Sequence, residues 1–201
     1  DDRAINDGWQ NLSELGAIDA RRQLTEIGRQ MARLPVDVKL ARMLVAAKQH
    51  DSLQEMIVIA AFMGIADPRE RPADAKQAAD TAHRQFADSG SEFLAVIRLW
   101  RAYRQMHEEL SQSQLRKWCE RNFLSYLRMR EWRELHRQLL ITARELQWPL
   151  PEWPDIEARL EAAAQDTKAA ARHYQQIHRA VLAGLPTQIG HKNDKGLYDG
   201  P

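Results

Sequence analysis

Basic residues are concentrated between positions 115 and 140, where they alternate with apolar residues at the spacing of a helix. Seven are arginine or lysine and three are glutamate, so the segment has a formal charge of +4 in a chain whose total is +1. The basic positions are Arg116, Lys117, Arg121, Arg128, Arg130, Arg133 and Arg137. Guanidinium groups on one helix face can bind anions such as nucleic-acid phosphates. The same charges can also serve only as a solvated surface, and the residues alone favour that interpretation.

The apolar positions of this stretch predict two amphipathic helices that carry the arginines on their outer faces. Ser111 followed by Gln114 is a capping box, which predicts where the first helix begins. The residues expected to face the core are Leu115, Trp118, Cys119, Phe123, Leu127, Trp132, Leu135 and Leu139. We therefore interpret both tryptophans as core residues and not as platforms on which bases stack.

Motifs of catalysis are missing from the sequence. It has neither a glycine-rich phosphate loop nor the Gly-x-Ser-x-Gly turn of many hydrolases. Its closest histidines, His173 and His178, are poorly spaced for zinc on a helix. Cys119 lies on the predicted apolar side, so we interpret it as a buried structural thiol and not as a nucleophile. We predict no catalytic residue, no metal site and no cofactor in this chain.

The composition is that of an ordinary globular protein. The 201 residues, 44% hydrophobic and 28% charged, allow one large domain or two small ones. No apolar run reaches the ~20 residues of a membrane span, and the first residues show no signal peptide. The single cysteine suits a reducing compartment, so we expect a cytoplasmic protein without membrane contact. The chain begins without methionine, and we expect it to be a fragment of a longer protein.

The first quarter of the chain predicts a compact mixture of helices and a short hairpin. One helix is expected to end at Gly16, which is typical of a C-terminal cap. Two brief strands with a turn at Ala20-Arg21 follow. Thr25 and Asp37 are predicted to cap the next two helices. Helix, small hairpin and helix are the components of a winged-helix module.

The rest of the chain predicts helices until its last residues. Ser52 and Glu55 predict a capping box at the start of a buried, apolar helix. The proline-rich segment 148–154 predicts an extended connector with both of its tryptophans packed. One helix is predicted over 155–182, and strand, turn and strand between 188 and 200.

Several runs carry a family resemblance: Leu15–Asp19 (LGAID), Leu24–Asp37 (LTEIGRQMARLPVD), Leu40–Leu44 (LARML), Ile59–Pro72 (IAAFMGIADPRERP), Ala78–Phe86 and Ser91–Leu94 (SEFL). In this order they resemble the region from the winged helix onward in DEAH-box RNA helicases. Trp118–Trp132 (WCERNFLSYLRMREW) is similar to the bacterial, HrpA-type branch. Ile177–Gly190 resembles the lead into the family's OB-fold domain. The resemblance covers nearly the whole chain.

The resemblance implies a mostly α accessory region of such a helicase. It implies the C-terminal part of a winged helix over residues 1–50, a helicase-associated, ratchet-like helical domain over 51–185, and the start of a truncated OB-fold over 186–201. The RecA-like ATPase domains, which bind ATP and magnesium, would belong to the same protein but are missing from this chain. On this basis the chain alone is expected to be inactive as an ATPase.

The resemblance also implies what the basic stretch does. Accessory domains of these helicases wall the channel for single-stranded RNA and couple the ATPase steps to strand movement. The candidate RNA-binding residues are Arg121, Arg128, Arg130 and Arg133. Arginine offers forked contacts to phosphate and a plane that stacks on unpaired bases. The alternatives are a helical protein-interaction scaffold without nucleic-acid contact and, more weakly supported, a winged-helix DNA regulator.

Overall fold

The computed structural model describes residues 2–188, 191–192 and 198–199. This part of the chain is mostly helical, as the sequence predicts. The chain divides into two compact units. The first consists of Asp1–Met56 together with Thr142–Pro201, and the second is Ile57–Ile141. No helix in the described ranges is long and apolar enough to cross a membrane.

The first unit begins with helices α1 (Asp2–Glu14), α2 (Glu26–Met31) and α3 (Val38–Gln49). The three predicted helix signals are confirmed. Gly16 follows α1 with a φ of 70°, the Thr25 side chain accepts from the Gly28 amide, and Asp37 accepts from the Lys39 and Leu40 amides.

The predicted hairpin between α1 and α2 is reduced to a single antiparallel bridge that joins Ile18 to Leu24. The turn lies where the sequence predicts it, because the Arg22 amide donates to the Asp19 carbonyl at 2.9 Å. Gly28 packs so tightly here that a Cβ atom would lie 2.0 Å from the Ala17 carbonyl oxygen. This contact fixes the bridge against the start of α2.

The first unit continues with α9 (Trp153–Gln165) and α10 (Thr167–Ala183), where the sequence predicts one helix. That prediction is wrong at Asp166, whose backbone is extended with φ −132° and ψ 125°. Its carboxylate accepts from the amides of Lys168 and Ala169 and so starts a new helix. The predicted connector 148–154 is non-helical only up to Glu152, because α9 begins at Trp153 with Pro154 in its first turn. Trp148 and Trp153 are buried as predicted.

The capping box predicted at Ser52 and Glu55 does not form at the start of α4 (Leu53–Met63). The Ser52 amide donates to the Ala47 carbonyl instead. Glu55 is fully buried, and its Oε1 lies 3.1 Å from His173 Nε2 and 3.5 Å from Arg159 Nη1. Long-range ionic partners outcompete the local backbone contact, and the sequence spacing cannot show them.

The second unit holds the end of α4 and helices α5 (Lys76–His83), α6 (Glu92–Glu109), α7 (Gln112–Arg121) and most of α8 (Tyr126–Glu145), with a 3-10 turn at Arg84–Phe86. Trp132 is fully buried at its centre. Its Nε1 donates to the Val58 carbonyl at 3.0 Å, and its ring meets Phe62 and Trp100 with centroids 5.1 and 4.9 Å apart. The predicted core role of Trp132 is confirmed.

At the end of the chain, strands β1 (His191–Lys192) and β2 (Tyr198–Asp199) pair antiparallel. This agrees with the predicted strand, turn and strand. The turn predicted between them lies outside the described residues. Two such strands do not establish an OB-fold, so the predicted domain over 186–201 is not confirmed. The boundaries predicted at residues 50 and 185 also stay a prediction.

Candidate nucleic-acid interface

Helices α7 and α8 carry the basic stretch, and a tight turn separates them. The predicted capping box at Ser111 and Gln114 is confirmed at the start of α7. The chain reverses at Phe123, whose φ is 52°, and the Leu124 amide donates to the Cys119 carbonyl at 2.9 Å. α8 then begins at Tyr126.

This turn overturns one predicted core position. Leu127 is 62% exposed, whereas Met129 and Trp132 are fully buried. Because the backbone is not helical at Phe123, the spacing counted along α7 does not continue into α8. Trp118, also predicted as core, is half-buried.

The four candidate arginines do not share one face. Arg121 is exposed in the last turn of α7. On α8, Arg130 and Arg133 are three residues apart, which places them about 60° from each other around the helix axis. Arg128 lies about 160° from Arg130 by the same geometry. The structure therefore brings Arg130 and Arg133 together on one flank of α8 and separates Arg128 from them.

Arg128 holds a loop in place. Its Nη1 donates to the carbonyl of Asp67 at 2.9 Å. In the same region the Ser125 amide donates to the Pro68 carbonyl and the Glu70 amide donates to the Phe123 carbonyl, both at 2.8 Å. Arg128 thus reinforces the attachment of the loop before α5 to the start of α8, while its remaining N–H groups are available to another acceptor.

Two guanidinium groups lie over the ring of Tyr126, and we name Arg116, Tyr126 and Arg130 the Tyr126 cluster. The Cζ atoms of Arg116 and Arg130 are 5.0 and 5.9 Å from the ring centroid. A cation–π contact orients a guanidinium without removing its charge. Sequence reasoning missed Arg116 and Tyr126 as partners. The four-residue spacing of Tyr126 and Arg130, which puts both on one helix face, was the available signal.

Arg133 contacts a histidine on α6. Its Nη1 meets Nε2 of His107, and because a guanidinium only donates, Nε2 must accept and the ring must be neutral. Burial, together with the charge of Arg133, lowers the pKa of His107. The neighbouring Arg104 donates from Nε to Glu108 at 3.3 Å. Arg133 therefore meets a neutral ring here and not an acid.

Arg137 shows the opposite situation one turn further along α8. It forms an ion pair with Glu134, with Nη2 and Oε1 2.6 Å apart. Hydrogen bonds from Arg137 and Gln138 lower the pKa of Glu134 to about 2. Arg137 is therefore already paired with an acid, and it provides a matched reference for Arg130.

This surface can bind anions and planar groups, but nothing on it suggests bond-breaking chemistry. Burial, with a smaller contribution from Glu120, raises the pKa of the Cys119 thiol to about 12. Cys119 is completely buried, which confirms the predicted structural thiol. In the ranges that the structure describes, no three His, Cys, Asp or Glu side chains gather as a metal site.

Comparison with known proteins gives the same order of domains as the sequence. Residues 8–36 match the winged-helix segment of the helicase associated domain (HA2), and residues 37–125 match its ratchet-like segment. The whole chain is 40% identical to an ATP-dependent RNA helicase HrpA homolog of Haemophilus influenzae and 39% identical to the ATP-dependent RNA helicase HrpA of Escherichia coli.

The chain spans only 15% and 14% of these two relatives, so it corresponds to one region of a much larger protein in each case. The two family matches together cover more than half of the chain, and they follow one another without a gap. The chain therefore belongs to the helicase associated (HA2) family, with the winged-helix segment followed by the ratchet-like segment.

Proposed function

We propose that this chain is the accessory region of a DEAH-box, ATP-dependent RNA helicase and that it binds single-stranded RNA. The observation that supports this most directly is the Tyr126 cluster with Arg133 on the same flank of α8. None of Arg116, Arg130 and Arg133 forms an ion pair within the described residues. Three uncompensated guanidiniums beside an aromatic ring suit a strand of phosphates with exposed bases.

The chemistry of the helicase belongs elsewhere in this proposal. RecA-like ATPase domains of the same protein bind ATP and magnesium, and this chain holds the strand while they step. The 186–201 segment begins an OB-fold that continues the strand's path. The work is cytoplasmic, in keeping with the reduced, buried Cys119. Arg121 and Arg128 stay candidate contacts, Arg121 because it is exposed and Arg128 because it has N–H groups to spare.

A protein-interaction scaffold is the second candidate, and one observation favours it. Leu127 is 62% exposed and precedes the arginines of α8. An apolar side chain within a basic surface fits an acidic protein partner that also buries hydrophobic area. This partner would engage the same flank that the RNA proposal uses.

Salt-dependent binding of oligouridylate, measured by fluorescence anisotropy, tests the RNA proposal. Each phosphate contact contributes about −0.7 to the slope of log K against log salt for a single strand. With about two to four contacts we expect a slope of about −1.4 to −2.8 and a Kd on the order of 10 to 100 μM at low salt. Duplex DNA should bind more weakly.

Arg130→Ala should reduce this slope by about 0.7, whereas Arg137→Ala, which removes the same charge from the same helix, should leave it near the wild-type value. Equal effects of the two substitutions would mean that RNA binding depends only on the net charge of the chain, and would contradict a specific site at Arg130. In a full-length helicase, Arg130→Ala combined with Arg133→Ala should lower RNA-stimulated ATPase activity without changing the basal rate.

A further inference from the structure

A pocket between α6 and α8 lies beside the Tyr126 cluster. It has a volume of about 170 Å³. Its lining residues are Trp100, Tyr103, Arg104, His107, Arg133 and His136. Four of the six are aromatic rings, two are arginines and none is an acid.

Three of these side chains carry a buried polar atom that lacks a hydrogen-bond partner in the structure. They are Nε1 of Trp100, the hydroxyl of Tyr103 and Nε2 of His136. Trp100 is 3% exposed, Tyr103 1% and His136 7%. An unpaired buried polar atom normally destabilises a fold by about 1–3 kcal/mol. Three of them around one small pocket indicate that something outside the described chain completes their hydrogen bonds.

The electrostatics of the pocket are those of neutral rings close to cations. Burial, helped by the charge of Arg104, lowers the pKa of His136 to about 3, so this ring is uncharged at neutral pH. Burial is also the main reason that the pKa of Tyr103 is raised to about 12, so its hydroxyl keeps its proton. The pocket thus offers neutral donors and acceptors inside and guanidinium charge from Arg133, whereas Arg104 is paired with Glu108.

We propose that this pocket receives one unstacked nucleobase of the bound single strand. Once the contact between Arg133 and His107 opens, the buried, unpaired atoms of Trp100, Tyr103 and His136 would meet the polar edge of the base, and Arg133 would meet an adjoining phosphate. The exposed contact between Arg133 and His107 lies at the surface, where it can open to admit the base. This inference rests on the proposed RNA-binding function and adds a site that reads bases.

Size and chemistry both favour a base. The pocket volume of about 170 Å³ is smaller than the roughly 300–1,000 Å³ of pockets that bind drug-sized ligands, so it suits a single planar group. Aromatic side chains around unstacked bases are the usual way in which proteins recognise single-stranded RNA. A carboxylate can also accept from Nε1 of Trp100 and the hydroxyl of Tyr103, so an acidic peptide is the competing occupant in the binding test.

Tyr103→Phe is the sharpest test, because it removes only the unpartnered hydroxyl. In the free chain this should leave the Tm unchanged or raise it, since no hydrogen bond is lost. The affinity for oligouridylate should fall about three- to tenfold, the usual effect of losing a neutral hydrogen bond. The affinity for an abasic oligomer of equal length and charge should not change. Tyr174→Phe, on an exposed ring of α10, is the matched control and should alter neither affinity.

A second measurement locates the base without any substitution. Oligonucleotides that carry 4-thiouridine should crosslink on irradiation to peptides that contain Trp100, Tyr103 or His136, identified by mass spectrometry. Crosslinks confined to other peptides would overturn the proposal, and this result does not depend on whether Tyr103→Phe folds.

Three outcomes of the binding test would also overturn the pocket. One is equal weakening of both oligomers by Tyr103→Phe, and another is no weakening of either while the salt slope and its loss in Arg130→Ala persist. In that second case the RNA-binding function survives and only the base site fails. The third is weakened binding of an acidic peptide with RNA binding intact, which assigns the pocket to a protein partner. A wild-type chain that binds no RNA at all contradicts the proposed function itself.

Discussion

Among the described residues, each unit of the molecule buries one helical histidine close to an arginine, but the two surroundings differ. In the first unit, His173 lies 3.1 Å from the carboxylate of Glu55, and Arg159 reaches both Glu55 and Asp51. In the second, His136 lines a pocket with Arg104 and Arg133. Arg104 pairs with the exposed Glu108, Arg133 pairs with no acid among the described residues, and Nε2 of His136 has no partner. Cations that meet a buried acid within their own unit hold the fold together. Cations without a buried acid, and buried polar atoms without a hydrogen-bond partner, remain available to bind a ligand.

The largest effect should come from breaking the acid-matched network. Glu55→Ala removes a fully buried carboxylate and leaves Arg159 and His173 without their partner, so the free energy of unfolding should fall by about 3–5 kcal/mol. Denaturation in urea, followed by circular dichroism, measures it. Glu109→Ala, at an exposed end of α6, is the control and should change stability by less than about 0.5 kcal/mol. If Glu55→Ala kept the wild-type free energy of unfolding, the ionic network of the first unit would not hold its fold together, and the contrast with the second unit would fail.

The second largest effect should be a loss of stability at acidic pH, caused by His136, which has no acidic partner. The unfolded chain binds a proton at this residue near pH 6.5, whereas folded His136 resists protonation down to about pH 3. The contribution of His136 to stability is therefore fully present above the pKa of the unfolded chain, and it is lost as the pH drops from 6.5 towards 3. The loss should be about 2 kcal/mol at pH 5 relative to pH 7.

His136→Gln should remove this part of the pH dependence, as shown by unfolding free energies measured from pH 7 to pH 5. His178→Gln, which changes a more exposed ring on α10, should keep the wild-type slope. If His136→Gln kept it as well, the burial of His136 would have no energetic consequence for folding.

The smallest effects should separate two arginines on α8. Arg128→Ala loses the hydrogen bond to Asp67 and should destabilise the chain by about 1 kcal/mol. Arg130→Ala loses an exposed contact with Tyr126 and should cost about 0.5 kcal/mol. The order should reverse for RNA, with Arg130→Ala weakening binding more. Thermal melts rank the two variants by stability, and anisotropy on the same preparations ranks them by RNA affinity. If the same variant had the larger effect in both measurements, the two arginines would not have separate roles.

Local signals in the sequence predicted much of the fold. Thr25, Asp37 and Ser111 start helices where their side chains can accept from backbone amides, which depends only on residues three positions away. The core role of Trp132 follows from helical spacing within one continuous helix. Such features could be predicted because the interacting groups are neighbours in the sequence.

Features that depend on distant partners could not be predicted in this way. The Glu55 carboxylate was assigned to its own helix end, but it binds Arg159 and His173, more than 100 residues away. Asp166 interrupts a stretch of good helix formers because its carboxylate caps a new helix. The candidate site was identified in part. Arg130 and Arg133 lie together, but the ring of Tyr126 and the contribution of α6 depend on packing that spacing does not reveal.

Cys119 can report, through its thiol, when the helices of the second unit separate. Its thiol is fully buried on α7, so a thiol-reactive dye can reach it only when the surrounding helices separate. The labelling rate therefore measures how often this unit opens. A ligand held between α6 and α8 should slow labelling in proportion to its occupancy. Because the buried thiol reacts slowly, a cysteine introduced on the surface can be labelled with a dye before Cys119 reacts.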